Sequence, residues 1–142
     1  MDELRRRAIG LLARREHSRA ELTRKLAAEG NAEEIDAVLT QLEAEGLLSN
    51  SRFAEAYVRS RGERFGAAKL RQLLRAKGID GDTSDTSLAA LAGEYERARG
   101  VWAKKFGLAP IDAREWARQA RFLQGRGFSP EVIRRLLKEL GS

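Results

Sequence analysis

SRAELTRKLAAEG, residues 18–30, reads as one complete helix with its start and its stop written into the sequence. Ser18 is an N-cap residue, and Glu21, three positions on, completes a capping box. Leu22 and Leu26 share one apolar stripe, and Gly30 suits a left-handed stop. The same frame returns as GAAKLRQLLRAKG (66–78) and SPEVIRRLLKELG (129–141). Gly66, Leu70, Leu74 and Gly78, then Ser129, Ile133, Leu137 and Gly141, stand four residues apart just as the first set does. Pro130 occupies the first helical position, where its missing N–H costs nothing. His17, Phe65 and Phe128 precede the three caps, the place from which a hydrophobic staple packs onto Leu22, Leu70 and Ile133. Matched starts and stops of this kind define an internal repeat.

Partners for these helices lie on either side. Residues 32–45 place Ile35, Val38, Leu39 and Leu42 on one face before Gly46, and residues 51–64 do the same with Phe53, Tyr57 and Val58. Asp80 to Ser87 has the Gly, Asp, Ser and Thr content of a loop. A longer helix is expected from there to about Lys105, broken by Gly107 and Pro110, and residues 112–125 carry the next one with Trp116 and Phe122. The reading is an all-α tandem array of three-helix repeats, about eight helices in an elongated body. Its divisions are 2–46, 51–106 and a partial third repeat at 112–141. Units this small bury too little alone, so neighbours must share core. The aromatics Phe53, Tyr57, Trp102, Trp116, Phe122 and Phe128 fall at helical spacing among apolar residues, which assigns most of them to that core.

Composition narrows the function. The 142 residues include no cysteine, so disulfides, thiolate metal sites and thiol redox chemistry are excluded. No run of about 18 apolar residues occurs, and no signal-like segment follows the charged N-terminus, so a cytoplasmic protein without membrane contact is expected. The net charge of +6 is uneven: residues 1–50 carry −2, residues 51–81 carry +5 and residues 82–142 carry +3. Such an excess attracts polyanions.

Chemistry has little to work with. His17 is the single histidine, and its alignment with Phe65 and Phe128 gives it a packing role. Asp80, Asp82 and Asp85 lack the glycine and bidentate glutamate of a calcium loop, and there is no glycine-lysine phosphate loop. No catalytic, cofactor or metal site is expected, and the chain does not read as an enzyme. The basic residues are more informative. Arg71 and Arg75 project to one flank of the second repeated helix, and Arg134 and Lys138 take the same positions in the third, where the first copy has Thr23 and Ala27. Arg52, Arg59, Arg61, Arg64, Lys69 and Lys77 extend this basic edge.

LARREHSRAEL (12–22), SRFAEAYVRSR (51–61), GAAKLRQLLRAKGI (66–79) and RFLQGRGFSPEVIRRLL (121–137), in this order along nearly the whole chain, strongly resemble the RecX family of regulatory proteins. The resemblance implies an array of three-helix repeats that binds the RecA filament on single-stranded DNA and curbs its recombinase, ATPase and co-protease activities. On that reading the contact residues are Arg59, Arg61, Lys69, Arg71, Arg75 and Arg126, followed by Arg134 and Lys138, in a monomer without cofactors. The alternative is an independent helical DNA-binding module with no RecA partner. Two residues depart from the family pattern: Gly125 replaces the first arginine of an Arg-Arg-Gly-Phe turn, and Gly100 falls inside a helix.

Overall fold

The computed structural model describes residues 2–141, and these fold into nine helices. They are α1 (Asp2–Arg14), α2 (Arg19–Leu26), α3 (Ala32–Ala44), α4 (Asn50–Arg61), α5 (Ala67–Ala76), α6 (Gly81–Ala89), α7 (Glu94–Lys105), α8 (Ala113–Gly125) and α9 (Pro130–Leu140). The all-α class is observed, with one helix more than the eight expected.

The addition is α6, in the stretch whose composition signals a loop. Asp80 starts it: its Oδ1 accepts from the Thr83 amide at 2.8 Å and its carbonyl from the Ser84 amide at 3.0 Å. The Thr83 hydroxyl and amide hold the Asp80 carboxyl below its usual range. Asp, Ser and Thr serve a helix start as well as a turn, which is why composition misleads here. Ser84 and Ser87 are buried, their small side chains admitting close approach. The helix expected from the end of that stretch to about Lys105 starts later: α6 stops at Ala89, and Gly93, with ψ 145°, opens α7.

The repeat glycines also divide. Gly78 takes the left-handed conformation at φ +80°, whereas Gly30 and Gly141 do not. At Gly30 an added Cβ would stand 2.8 Å from Leu4 Cδ1, so the end of that leucine side chain would have to shift.

The chain forms two compact units, one running up to Tyr57 and including Leu74–Ser87, the other comprising Val58–Leu73 and the chain from Leu88 onward. Helices α4 and α5 thus contribute residues to each. In the first unit, Leu4 and Ala8 of α1, Leu22 and Leu26 of α2, and Ile35, Val38, Leu39 and Leu42 of α3 make one core with Leu48. The Ser18–Glu21 capping box is present, and α3 has another in Asn31 and Glu34.

In the second unit, Ala98, Val101 and Trp102 of α7 pack with Leu123 of α8 and Ile133, Leu136 and Leu137 of α9, beside Phe128. Helix α7, grouped with the second repeat by spacing, therefore shares its core with α8 and α9. A buried polar pair crosses this core. Trp102 Nε1 donates to Gln119 Oε1 at 2.7 Å, and Gln119 Nε2 donates to the Leu108 carbonyl at 3.0 Å. Gln119→Leu leaves the indole N–H buried without a partner and should lower stability by about 1–2 kcal/mol in denaturant titration. Gly100, by contrast, lies in mid-helix with nothing within 4 Å of a Cβ built on it. Gly100→Ala should raise stability in the same titration by about 0.5–1 kcal/mol, through helix propensity alone.

Candidate functional site

Helix α5 carries three of the expected contact residues, Lys69, Arg71 and Arg75, and its start is built differently from those of α2 and α9. Ser18 and Ser129 cap their own helices through side chains. Gly66 has none, and the first amides of α5 are satisfied from elsewhere in the second unit. Gly66 N donates to the Arg126 carbonyl at 2.8 Å, Ala67 N to Glu94 Oε1 at 2.7 Å, and Ala68 N to the Gly127 carbonyl at 3.3 Å. A carboxylate and two carbonyl oxygens thus replace the missing cap, with the sign a helix N-terminus favours.

The approach is close enough to require glycine on each side. A Cβ on Gly66 would lie 2.5 Å from Gly127 C and Phe128 N, and one on Gly127, whose φ is +93°, would lie 2.5 Å from Lys69 N. Lys69 and Arg126 are thereby brought together, the turn between α8 and α9 lying against the first turn of α5.

Arg126 is half-buried, its guanidinium 5.5 Å from the Phe65 ring centre and 5.1 Å from that of Phe122. Arg64 lies over Phe65 at 5.6 Å. These stacked cations hold the turn in place and leave Arg126 less available than its sequence position implies. Arg97 completes the local structure, donating to the Phe65 carbonyl at 2.8 Å; burial pushes its guanidinium down from the usual value.

The remaining contact residues are accessible. Arg59, Arg71, Arg75, Arg134 and Lys138 are exposed and Arg61 and Lys69 half-buried. Arg71 and Arg75 stand one turn apart on α5, and Arg134 and Lys138 one turn apart on α9. Arg75 and Arg134 have no ion-pair partner among the described residues. Two residues expected to extend the edge serve the first unit instead: Arg52 donates to Glu16 at 2.9 Å and to the Gly46 carbonyl at 2.8 Å, and Lys77 to Glu21 at 3.3 Å.

Arg75 also lines a hollow of about 560 Å³ with Arg19, Ala20, Thr23, Arg24, Asn50, Ala76 and Gly78. Arg19 pairs with Asp36 at 2.6 Å and with Glu43, whereas Arg24 and Arg75 have no acidic partner among the described residues. Two such guanidinium groups beside an open hollow attract a carboxylate or a phosphate. Arg24 was not among the sequence candidates, because Thr23 and Ala27 occupy the flank positions and made the first repeat look neutral. Its signal was its place one residue along from that flank.

His17 does not belong to this surface. It is buried, its Nδ1 lies 3.1 Å from the Arg15 carbonyl and its Nε2 2.9 Å from Lys25 Nζ. Lysine only donates, so Nε2 is the acceptor and Nδ1 carries the proton, a neutral ring. Burial, foremost, pushes its pKa down.

Comparison with known proteins covers this whole framework. Three family models match in order: the first three-helix domain of RecX over residues 5–42, the second over 49–88 and the third over 93–137. The regulatory protein RecX of Leptothrix cholodnii is 52% identical over 137 residues, covering 95% of this chain and 87% of that protein. The one from Ralstonia nicotianae is 46% identical over 137 residues, covering 95% and 86%. The crystal structure of RecX from Lactobacillus salivarius superposes with a TM-score of 0.84 at 21% identity, covering 99% of this chain and 96% of that one. A further regulatory protein RecX structure gives 0.85 at 22% identity, covering 96% and 72%.

Proposed function

The chain belongs to the RecX family of regulatory proteins, and from that premise we propose that it binds the RecA recombinase filament on single-stranded DNA and inhibits its recombinase, ATPase and co-protease activities. The observation that carries this reading for the present chain is the exposed cationic pairs, Arg71 with Arg75 on α5 and Arg134 with Lys138 on α9. Each pair offers guanidinium or ammonium groups one helical turn apart to acidic protein surface or to DNA phosphate. Several small units that engage neighbouring filament subunits raise affinity multiplicatively, with no single contact needing to be strong. The protein acts in this reading by binding and not by catalysis, in the cytoplasm, where the filament forms. Among the described residues no helix is long and apolar enough to cross a membrane.

The deciding measurement is the single-strand-dependent ATPase of RecA at fixed salt, with DNA in excess. Inhibition is expected at substoichiometric ratios of this protein. The Arg71→Glu/Arg75→Glu double variant, folded by circular dichroism, should need about tenfold more protein for the same inhibition, with a shallower salt dependence. Undiminished inhibition by that variant would show that the α5 edge is not the contact. No inhibition by the parent, with DNA binding retained, would replace this reading with that of an independent DNA-binding module.

A further inference from the structure

The turn between α7 and α8 exposes what the fold normally hides. Ile111 is 90% exposed and Leu108 79%, and Trp116, in the first turns of α8, is 36% exposed. Scattered exposed aliphatic residues are ordinary. These are different because of their positions. Asp112 is the N-cap of α8, so Ile111 and Trp116 occupy the two staple positions, N′ and N4. At the caps of α2 and α9 the N′ residue, His17 or Phe128, is buried in its own unit. At α8 the staple stands open, and Ile111 points its surface at solvent.

The turn is nonetheless held firmly. Gly107, at φ +72°, donates to the Trp102 carbonyl at 3.3 Å, Gln119 holds the Leu108 carbonyl, and Asp112 Oδ1 accepts from the Glu115 amide at 2.8 Å. An apolar knob on a fixed backbone loses little freedom when it docks.

Charge identifies the kind of surface that would receive it. The two acids of this segment are spent within the fold: Asp112 caps the helix, and Glu115 pairs with Arg118 at 2.7 Å and accepts from Gln119 at 3.2 Å. Lys104 and Arg114 are exposed and have no partner among the described residues. The patch is therefore aliphatic at its tip with uncompensated positive charge beside it. We propose that Leu108 and Ile111, flanked by Lys104 and Arg114, form an apolar anchor that inserts into a carboxylate-rimmed apolar pocket on a folded protein. Resting on the function proposed above, that protein is the recombinase subunit of the filament and not the DNA it carries. Phosphates offer an aliphatic side chain nothing, and bases stack on rings; of the rings here Phe106 is half-buried beneath Arg118 and Trp116 is less exposed than either aliphatic tip. Two aliphatic side chains also bury too little apolar surface to anchor a protein stably in lipid.

The test uses Leu108→Ser/Ile111→Ser in the full chain. Both positions are exposed, so an unchanged thermal melt is expected and confirms that the variant folds. RecA filaments on poly-dT, fixed with a non-hydrolysable ATP analogue, are sedimented with parent or variant over a salt series. The variant should bind about tenfold more weakly at every salt concentration, with the parent's salt slope, because the lost contact is apolar. Its affinity for naked poly-dT should be unchanged. Equal filament binding by parent and variant would overturn the anchor while leaving the proposed function standing. Absence of filament binding by the parent would overturn both. Weakening of equal size on naked poly-dT would reassign the patch to DNA. A parent dimer in sedimentation equilibrium that the variant abolishes would reassign it to a second copy of this chain, and parent-only capture by anionic vesicles would reassign it to lipid.

Discussion

Gly127→Ala is expected to destabilise the protein by about 3 kcal/mol, through a left-handed backbone that alanine resists and a Cβ driven into neighbouring main chain. Gly127 has φ +93°, and the added carbon would stand 2.5 Å from Lys69 N and 2.9 Å from Lys69 Cα. Main chain in the first turn of a helix cannot step aside as a flexible side chain would. Relief comes only by parting the α8–α9 turn from α5, which releases the Gly66 and Ala68 amides from their carbonyl partners. A fall in Tm of about 10 °C should accompany the loss in a chain of this length. Gly125→Ala supplies the control two residues away: that position is helical, its φ is not positive, and nothing lies within 4 Å of the added carbon. It should be neutral or slightly stabilising. If both variants melted alike, the close approach of the turn to α5 would be wrong, since propensity alone separates them by little.

That approach also marks where sequence reading stops. The starts of helices α2 and α9 are legible to the residue because their caps are local: Ser18 with Glu21, and Ser129 with Pro130, act within four positions, whereas α2 stops at Leu26, short of Gly30. The Asn31–Glu34 box of α3 follows the same spacing and was equally available to a reader of the sequence. The start of α5 was placed correctly at Gly66, but what satisfies it was invisible. Glu94 and the Arg126 and Gly127 carbonyls come from far along the chain, and no periodicity encodes a tertiary cap. The basic edge shows the same limit. Helical spacing put Arg71, Arg75, Arg134 and Lys138 on exposed flanks, as observed. It could not tell that Arg52 and Lys77 are held by acids of the first unit, or that Arg126 is stacked between two rings, because those partners depend on packing. Trp116 fell short of the core for a related reason: helical spacing locates a face without showing whether anything covers it.

Acid should unfold the first unit in two stages, governed by one carboxylate and one imidazole that lie four residues apart. Glu21 is 5% exposed and receives Arg15 on both oxygens, at 3.1 and 3.0 Å, the Ser18 amide at 3.0 Å and Lys77 at 3.3 Å. Burial alone would raise its pKa; the hydrogen bonds from Arg15, Ser18 and Lys77 and the charge of Arg15 outweigh burial and bring it down to about 2. A carboxyl depressed from 4.5 contributes stability that is complete above that value and is lost as pH falls from about 4.5 towards 2. His17 is also depressed, from 6.5, so the unfolded chain takes up its proton first and stability begins to fall as pH drops through about 6.5. Protonation would turn Nε2 from acceptor to donor against Lys25 and add a buried charge. His17→Phe, which restores the ring type found at 65 and 128, should abolish the upper stage and leave the lower one. Glu21→Ala should cost about 3 kcal/mol at neutral pH, combining half of a capping box with the anchor of two cations, and should flatten the lower stage. The loss stays below that of a fully buried pair because Arg15 and Lys77 keep 49% and 36% of their side-chain surface exposed. Thermal melts of the three proteins from pH 3 to pH 8 separate the stages; a parent whose Tm is level between pH 7 and pH 5 would show that His17 is free to charge in place.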